Sequence, residues 1–416
     1  MAKPTLPHEL NICIISRKFP LSGRAADHSY LLYIAKGLVK RGHHVTVLAH
    51  SNQVGKSLEE QEGIKAYYLN QNQLVPEDKY ADLVKERFAK LHREKPFHMV
   101  HCIDNSGAKV LKYKKHYQVT TMMDVEATRM GEVISILGMS QETPWGAIRT
   151  ALSVTYKFLR TYFSTDRALL KKADGVIVTS PQQRIALERY YLYPDRRIFT
   201  ISYGLQVSEN INEENAQAIR KKLEIREDDF CIITFSDMLE INEITTIIKA
   251  FEQLVIKKPN SRLVIVGKGP RYKDIEFMVL NHALGSKVVM TGAIKNTEIP
   301  DYISTCNVYI NLSSRTSGFE SSLLESMAQQ KIVIGSEVSA LSSLIENGID
   351  GFLIRPADIE GLFQLFMDIM NKQIAVEEMQ VHAYKKVMNF SDPQKMTDDC
   401  VNAYFDILRL SGKYKR

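Results

Sequence analysis

Short apolar, β-branched runs recur along this 416-residue chain, each followed by a longer amphipathic stretch. That alternation constrains the fold more than any other feature. It is the pattern of βαβ units, which build parallel sheets covered by helices. In the first half ICIIS (12–16), HVTVLA (44–49), MVHCI (99–103), VTTMM (119–123), VIVTS (176–180) and IFTIS (198–202) read as strands. A helix is expected over 29–40, closed by Arg41-Gly42. Residues 143–172 read as a long helical stretch carrying Arg149, Lys157, Arg160, Arg167, Lys171 and Lys172. The polar segment 208–217 separates the halves. The second half then repeats the pattern, with strands at 231–236, 262–267, 287–292, 308–313 and 332–336 and helices at 243–257, 321–330 and 393–410. Two doubly wound α/β domains are expected, over 1–207 and 208–390, followed by a terminal helical segment over 391–416. Ligands in such folds sit at the carboxyl ends of the strands.

Composition narrows the setting. Hydrophobic residues make up 44% and charged residues 25%, which is ordinary for a soluble globular protein. No apolar run approaches the ~20 residues of a membrane span, and the N-terminus lacks the layout of a signal peptide. The five cysteines are widely spaced, and four lie in apolar patterns. They read as buried thiols, neither a zinc site nor a disulfide framework. A cytoplasmic location is expected. The net charge of +6 divides unevenly: residues 1–207 hold 30 basic and 19 acidic side chains, and residues 208–416 hold 24 and 29. A basic first half favours a protein partner of opposite charge or an anionic membrane surface, with a peripheral position at the inner face. A solvated, lysine-rich surface explains the same charge. No nucleic-acid partner is expected, and the oligomeric state is not encoded in any motif.

The second half resembles, position by position, the C-terminal domain of family 4 glycosyltransferases. FSDMLEINEITTIIKAF (235–251) has the spacing of their glycine-arginine, then lysine-glycine, segment. RLVIVGKGP (262–270) resembles their strand ending in Val-Gly-x-Gly, and KVVMTGAIKNTEIPDYISTCNVYINLSS (287–314) their next strand–loop–helix–strand unit. SGFESSLLESMAQQKIVIGSEVSALSSLIENGIDGFLI (317–354) is similar to their signature region. The first half is similar through RKFPLSG and LVKRGHHVTVL. The resemblance implies a GT-B fold of two Rossmann-like domains facing across a cleft, the last helix crossing back to the first domain. It implies retaining transfer from a nucleotide-diphosphate sugar without a metal or other cofactor.

The resemblance also implies where donor chemistry should lie, and there the chain departs from the family. Fixed cations must stabilise a departing diphosphate. The family's arginine position is Asp237 and its lysine position Asn242. The first glutamate of the signature pair is Ser317; the second is kept as Glu325. Gly318, Phe319, Lys268 and Gly292 complete the implied donor pocket; Lys268, Arg271 and Arg315 are the cations that could replace lost charge, against a solvated loop as the plainer reading of Lys268 and Arg271. Ser317-Gly318-Phe319-Glu320 also reads as a capping box opening the helix at Ser321, against a catalytic role for Glu320. In the first half the family's glycine pair is Ala25-Ala26, and a histidine position at a strand end is Met123, read as packing. His43, His44, His98 and His101 read as structural, and no metal site is expected. Three functions fit these residues: a pseudo-glycosyltransferase serving as a binding or assembly module, a divergent active transferase, and, with less behind it, a membrane-surface partner acting through the helix at 143–172.

Overall fold

The computed structural model describes residues 4–17, 19, 21, 29–50, 56–70, 77–125, 165–179, 181–204, 213–238, 241–295, 298–313, 321–337, 344–390 and 392–414. They form two compact units. The first takes in the described residues through Val125, those from Thr165 to Gly204 and the last helix; the second runs from Glu213 to Phe390. Most of the expected helical stretch 143–172 lies outside the described residues, which retain 165–172 of it, with a helix over Thr165–Leu170.

The first unit is built on eight strands: β1 (Asn11–Ile15), β2 (His44–Ala49), β3 (Leu58–Gln61), β4 (Ile64–Tyr68), β5 (Met99–Ile103), β6 (Thr120–Asp124), β7 (Gly175–Val178) and β8 (Ile198–Thr200). Their spatial order is β3-β4-β2-β1-β5-β6-β7-β8. Every pairing is parallel except β3 with β4. All five residues of β1, β5 and β6 are buried, as strands covered on both faces must be. The β3–β4 hairpin turns on Glu62 and Gly63, both at positive φ (50° and 78°), as a two-residue primed turn requires. The C-terminal helix Pro393–Leu410 belongs to this unit. Asp392 caps it by accepting from the Gln394 amide (2.7 Å), and Met396, Cys400, Tyr404 and Ile407 form its buried stripe.

The second unit has six parallel strands: β9 (Phe230–Phe235), β10 (Ser261–Val266), β11 (Val288–Gly292), β12 (Val308–Asn311), β13 (Ile332–Ser336) and β14 (Phe352–Ile354). Their order, β11-β10-β9-β12-β13-β14, is the 3-2-1-4-5-6 arrangement of a doubly wound sheet. The winding reverses between β9 and β12, so their carboxyl ends mark the crevice where such a sheet takes ligand. The helix Ile241–Lys257 covers one face by burying Ile244, Ile247, Ile248, Phe251 and Leu254. Two helices that sequence pattern did not single out, Ile359–Met370 and Val376–Phe390, also belong to this unit. Among the described residues no helix is long and apolar enough to cross a membrane.

Candidate functional site

Three loops meet at the carboxyl ends of β9, β10 and β11. Glycine lets them do so. Gly267, at φ +135°, lies so close to the β9 loop that an added Cβ would stand 1.8 Å from the Ser236 carbonyl oxygen; at Gly269 it would stand 1.8 Å from that of Asp237. The Gly267 amide donates to the Gly292 carbonyl (3.0 Å), and the Arg271 amide donates to that of Met238 (3.1 Å). Asp237, Lys268, Arg271 and Gly292, singled out by sequence, are thus on adjoining loops. Asp237 and Lys268 are exposed, and the Arg271 guanidinium is paired with Asp274 (3.1 Å). Asn242 is exposed in the first turn of the helix Ile241–Lys257.

Two residues that sequence reasoning passed over organise this corner. Ser236 Oγ donates to Glu243 Oε1 at 2.6 Å and accepts from the Met238 amide at 3.0 Å. These bonds fix the tight turn in which Met238, at φ 52°, is fully buried. In sequence Ser236 and Glu243 directly adjoin Asp237 and Asn242. A carboxylate is therefore held in the first turn of Ile241–Lys257, at the helix's positive end. The signal was available: a serine seven residues before an acid in a helix's opening turn.

On β12, Asn311 Oδ1 accepts from the Ser313 amide (2.9 Å), and Asn311 Nδ2 donates to the Tyr309 hydroxyl (3.3 Å), which is bonded in turn to Ser322 Oγ (3.0 Å). This ties the end of β12 to the helix Ser321–Ala328, on which Glu325 is buried at 5% exposure. Ser317, Gly318, Phe319, Glu320 and Arg315, with the capping box, lie outside the described residues, as do Ala25 and Ala26.

The first unit presents a different constellation at its carboxyl edge. Met123 is buried inside β6, opposite Cys102 and Val176, and the strand runs one residue past it. That last residue, Asp124, is fully buried. It accepts from the hydroxyls of Tyr203 (2.7 Å) and Tyr30 (3.3 Å), whose rings stack at 3.7 Å. His101 faces the same carboxylate with Nε2 at 3.8 Å and bonds the Tyr404 hydroxyl through Nδ1 (2.7 Å). Burial lowers the His101 pKa to about 4, so the ring is neutral at pH 7. His43 and His98 accept backbone amides of Leu10 (3.3 Å) and Asn11 (2.8 Å), which are structural roles. Among the described residues no group of three or more His, Cys, Asp or Glu could hold a metal.

Comparison with known proteins places this architecture. Residues 215–386 match the model for glycosyl transferases group 1, and residues 28–204 match that for a glycosyl transferase 4-like domain. The alpha-monoglucosyldiacylglycerol synthase of Streptococcus pneumoniae is 27% identical over 219 residues, which is 52% of this chain and 48% of that protein. The chain spans about half the length of the first curated relatives it matches. Among solved structures, sucrose-phosphate synthase from Thermosynechococcus elongatus superposes with a TM-score of 0.78 at 18% identity, covering 97% of this chain and 100% of that one. Anabaena HepE in complex with UDP-glucose gives 0.70 at 17%, with the same coverage. With two Rossmann-like parallel-sheet domains and both halves matched to glycosyltransferase models, the chain belongs to the family 4 glycosyltransferases of the GT-B fold.

Proposed function

We propose that this chain keeps the glycosyltransferase scaffold but has given up the electrostatics of the donor site, and serves as a binding or assembly module. The observation that carries this reading is the Ser236–Glu243 bond, which holds a carboxylate in the first turn of Ile241–Lys257. Asp237 is exposed on the preceding loop, and Asn242 is neutral. A phosphate oxygen at about 5 Å from either acid would be repelled by ~3 kcal/mol per unit charge at an effective dielectric near 20. The positive helix end that would attract a diphosphate is compensated by Glu243. The excess of basic residues in 1–207 supports an anionic partner for such a module, either an acidic protein or an anionic membrane surface.

Calorimetry against UDP-, GDP- and ADP-sugars tests the reading. No heat at millimolar ligand is expected from the unaltered chain, and micromolar binding from Asp237→Arg/Asn242→Lys/Ser317→Glu. Micromolar binding by the unaltered chain, with slow hydrolysis, would replace the proposal by a divergent retaining transferase. In that case Lys268, Arg271 or Arg315 must supply the missing charge.

A further inference from the structure

The amino-terminal end of the second unit's two central strands carries an arrangement that nucleotide-sugar chemistry does not use. Cys231 is the second residue of β9, and Cys306 lies two residues before the neighbouring β12, next to Asn307. Their sulfurs are 3.0 Å apart, although the residues are 75 positions apart in sequence. The two backbones are locked in register there. The Asn307 amide donates to the Cys231 carbonyl (2.8 Å), and the Cys231 amide donates to Asn307 Oδ1 (2.8 Å). Both thiols are buried, at 0% and 2% exposure.

Two cations sit around the pair. Lys331 Nζ donates to the Ser304 carbonyl (2.9 Å), and Arg220 donates to that of Thr305 (2.8 Å), so each is fixed to the loop that bears Cys306. Burial pushes the Cys306 thiol up, but its hydrogen bonds with Cys231 and Thr305 and the charges of Lys331 and Arg220 more than offset it and bring it below the ordinary thiol range. The remaining thiols lack this setting. Cys102 is pressed against Gly107, where an added Cβ would stand 2.1 Å from its sulfur, and burial raises Cys13, Cys102 and Cys400.

We infer that Cys231 and Cys306 form an oxidation-sensitive dithiol, closed to a disulfide by a hydroperoxide. In the first step the Cys306 thiolate attacks a peroxide oxygen, the O–O bond breaks, and hydroxide leaves. Cys306 becomes a sulfenic acid. The Cys231 sulfur then attacks the Cys306 sulfur, the S–OH bond breaks, and water leaves. Two thiols are oxidised to one disulfide, and one hydrogen peroxide is reduced to two waters. The product ties β9 to the segment entering β12, away from the donor end of the sheet. It is independent of whether the donor site binds anything.

The test is peptide mapping of the full chain after hydrogen peroxide, quenching, and alkylation in denaturant. The peptides bearing Cys231 and Cys306 are expected joined, two hydrogens lighter than their sum and separable by dithiothreitol, while Cys13, Cys102 and Cys400 alkylate. Full alkylation of Cys231 and Cys306, a crosslink to any other cysteine, or sulfinic acid at Cys306 without a crosslink would overturn the inference. Cys231→Ser is expected to stop at a sulfenic acid on Cys306 that dimedone traps. A folded Cys231→Ser protein that shows no label overturns Cys306 as the attacking thiol. If this variant does not fold, mapping of the unaltered chain still decides.

Discussion

Each unit carries an aspartate at the carboxyl edge of a doubly wound sheet, and the two are handled differently. Asp124 ends β6 with no exposure, two tyrosine hydroxyls on its oxygens and a neutral histidine beside it. Asp237 follows β9 on an exposed turn, beside a loop whose glycines press against its backbone. A buried carboxylate must have its acceptors filled, and here the fold supplies the donors. An exposed one keeps its contact with water, needs no such cradle, and sets the charge that a ligand meets. The same residue type is thus structural in one unit and electrostatic in the other.

The backbone beneath Asp237 should be far less tolerant than its side chain. Gly267→Ala places a Cβ 1.8 Å from the Ser236 oxygen at a φ of +135°. Strain and displacement together should cost the second unit about 4 kcal/mol, read from its denaturant midpoint. Asp237→Ala should stay within about 0.5 kcal/mol of the unaltered chain. A tolerated Gly267→Ala would mean that the two loops are not held as closely as described.

The next effect belongs to the first unit. Asp124→Ala buries the Tyr203 and Tyr30 hydroxyls without their acceptor, at an expected cost of about 3 kcal/mol. The contrast with Asp237→Ala is the direct test of the comparison. Equal effects would break it.

Sequence pattern located the strands that matter and not the reason these acids differ. Strands β2, β5 and β13 fall on the predicted runs residue for residue, because buried parallel strands announce themselves as mostly apolar, β-branched sequence. The β3 strand LEEQ escaped, since an edge strand with three exposed residues has no apolar pattern to read. Asp237 and Asn242 were legible as departures from a family spacing. The Ser236–Glu243 bond left a weaker trace, a serine seven residues before an acid, because a hydrogen bond across a turn leaves no periodicity. The Asp124 cluster was not legible, because its members Tyr30, His101, Tyr203 and Tyr404 come from four distant segments that only the fold brings together.

Acid should find the first unit before the second. The His101 pKa falls from the ordinary 6.5 to about 4 on folding, because burial disfavours the imidazolium. Between those values the unfolded chain binds more protons than the folded one, so stability falls as pH drops through this window. Above pH 6.5 the contribution is complete; at pH 5 about 2 kcal/mol of it should be gone. His101→Asn removes the titration, so the difference between it and the unaltered chain should shrink by that amount from pH 7 to pH 5. A constant difference would show that His101 protonates alike in both states.

The smallest effect separates the two tyrosines on Asp124. Tyr203 donates at 2.7 Å and Tyr30 at 3.3 Å, and a hydrogen bond to a charged acceptor weakens as it lengthens. Tyr203→Phe keeps the ring stack and removes the shorter bond, so about 1.5 kcal/mol should be lost. Tyr30→Phe should lose less, because its bond to the carboxylate is the longer one. Urea midpoints of the two single variants and the double variant decide the matter. If the double loses more than the two singles summed, each hydroxyl compensates for the other, and Asp124 is held by a shared network. If the losses add, the two hydroxyls hold the carboxylate independently, and Tyr203 is the stronger of the two.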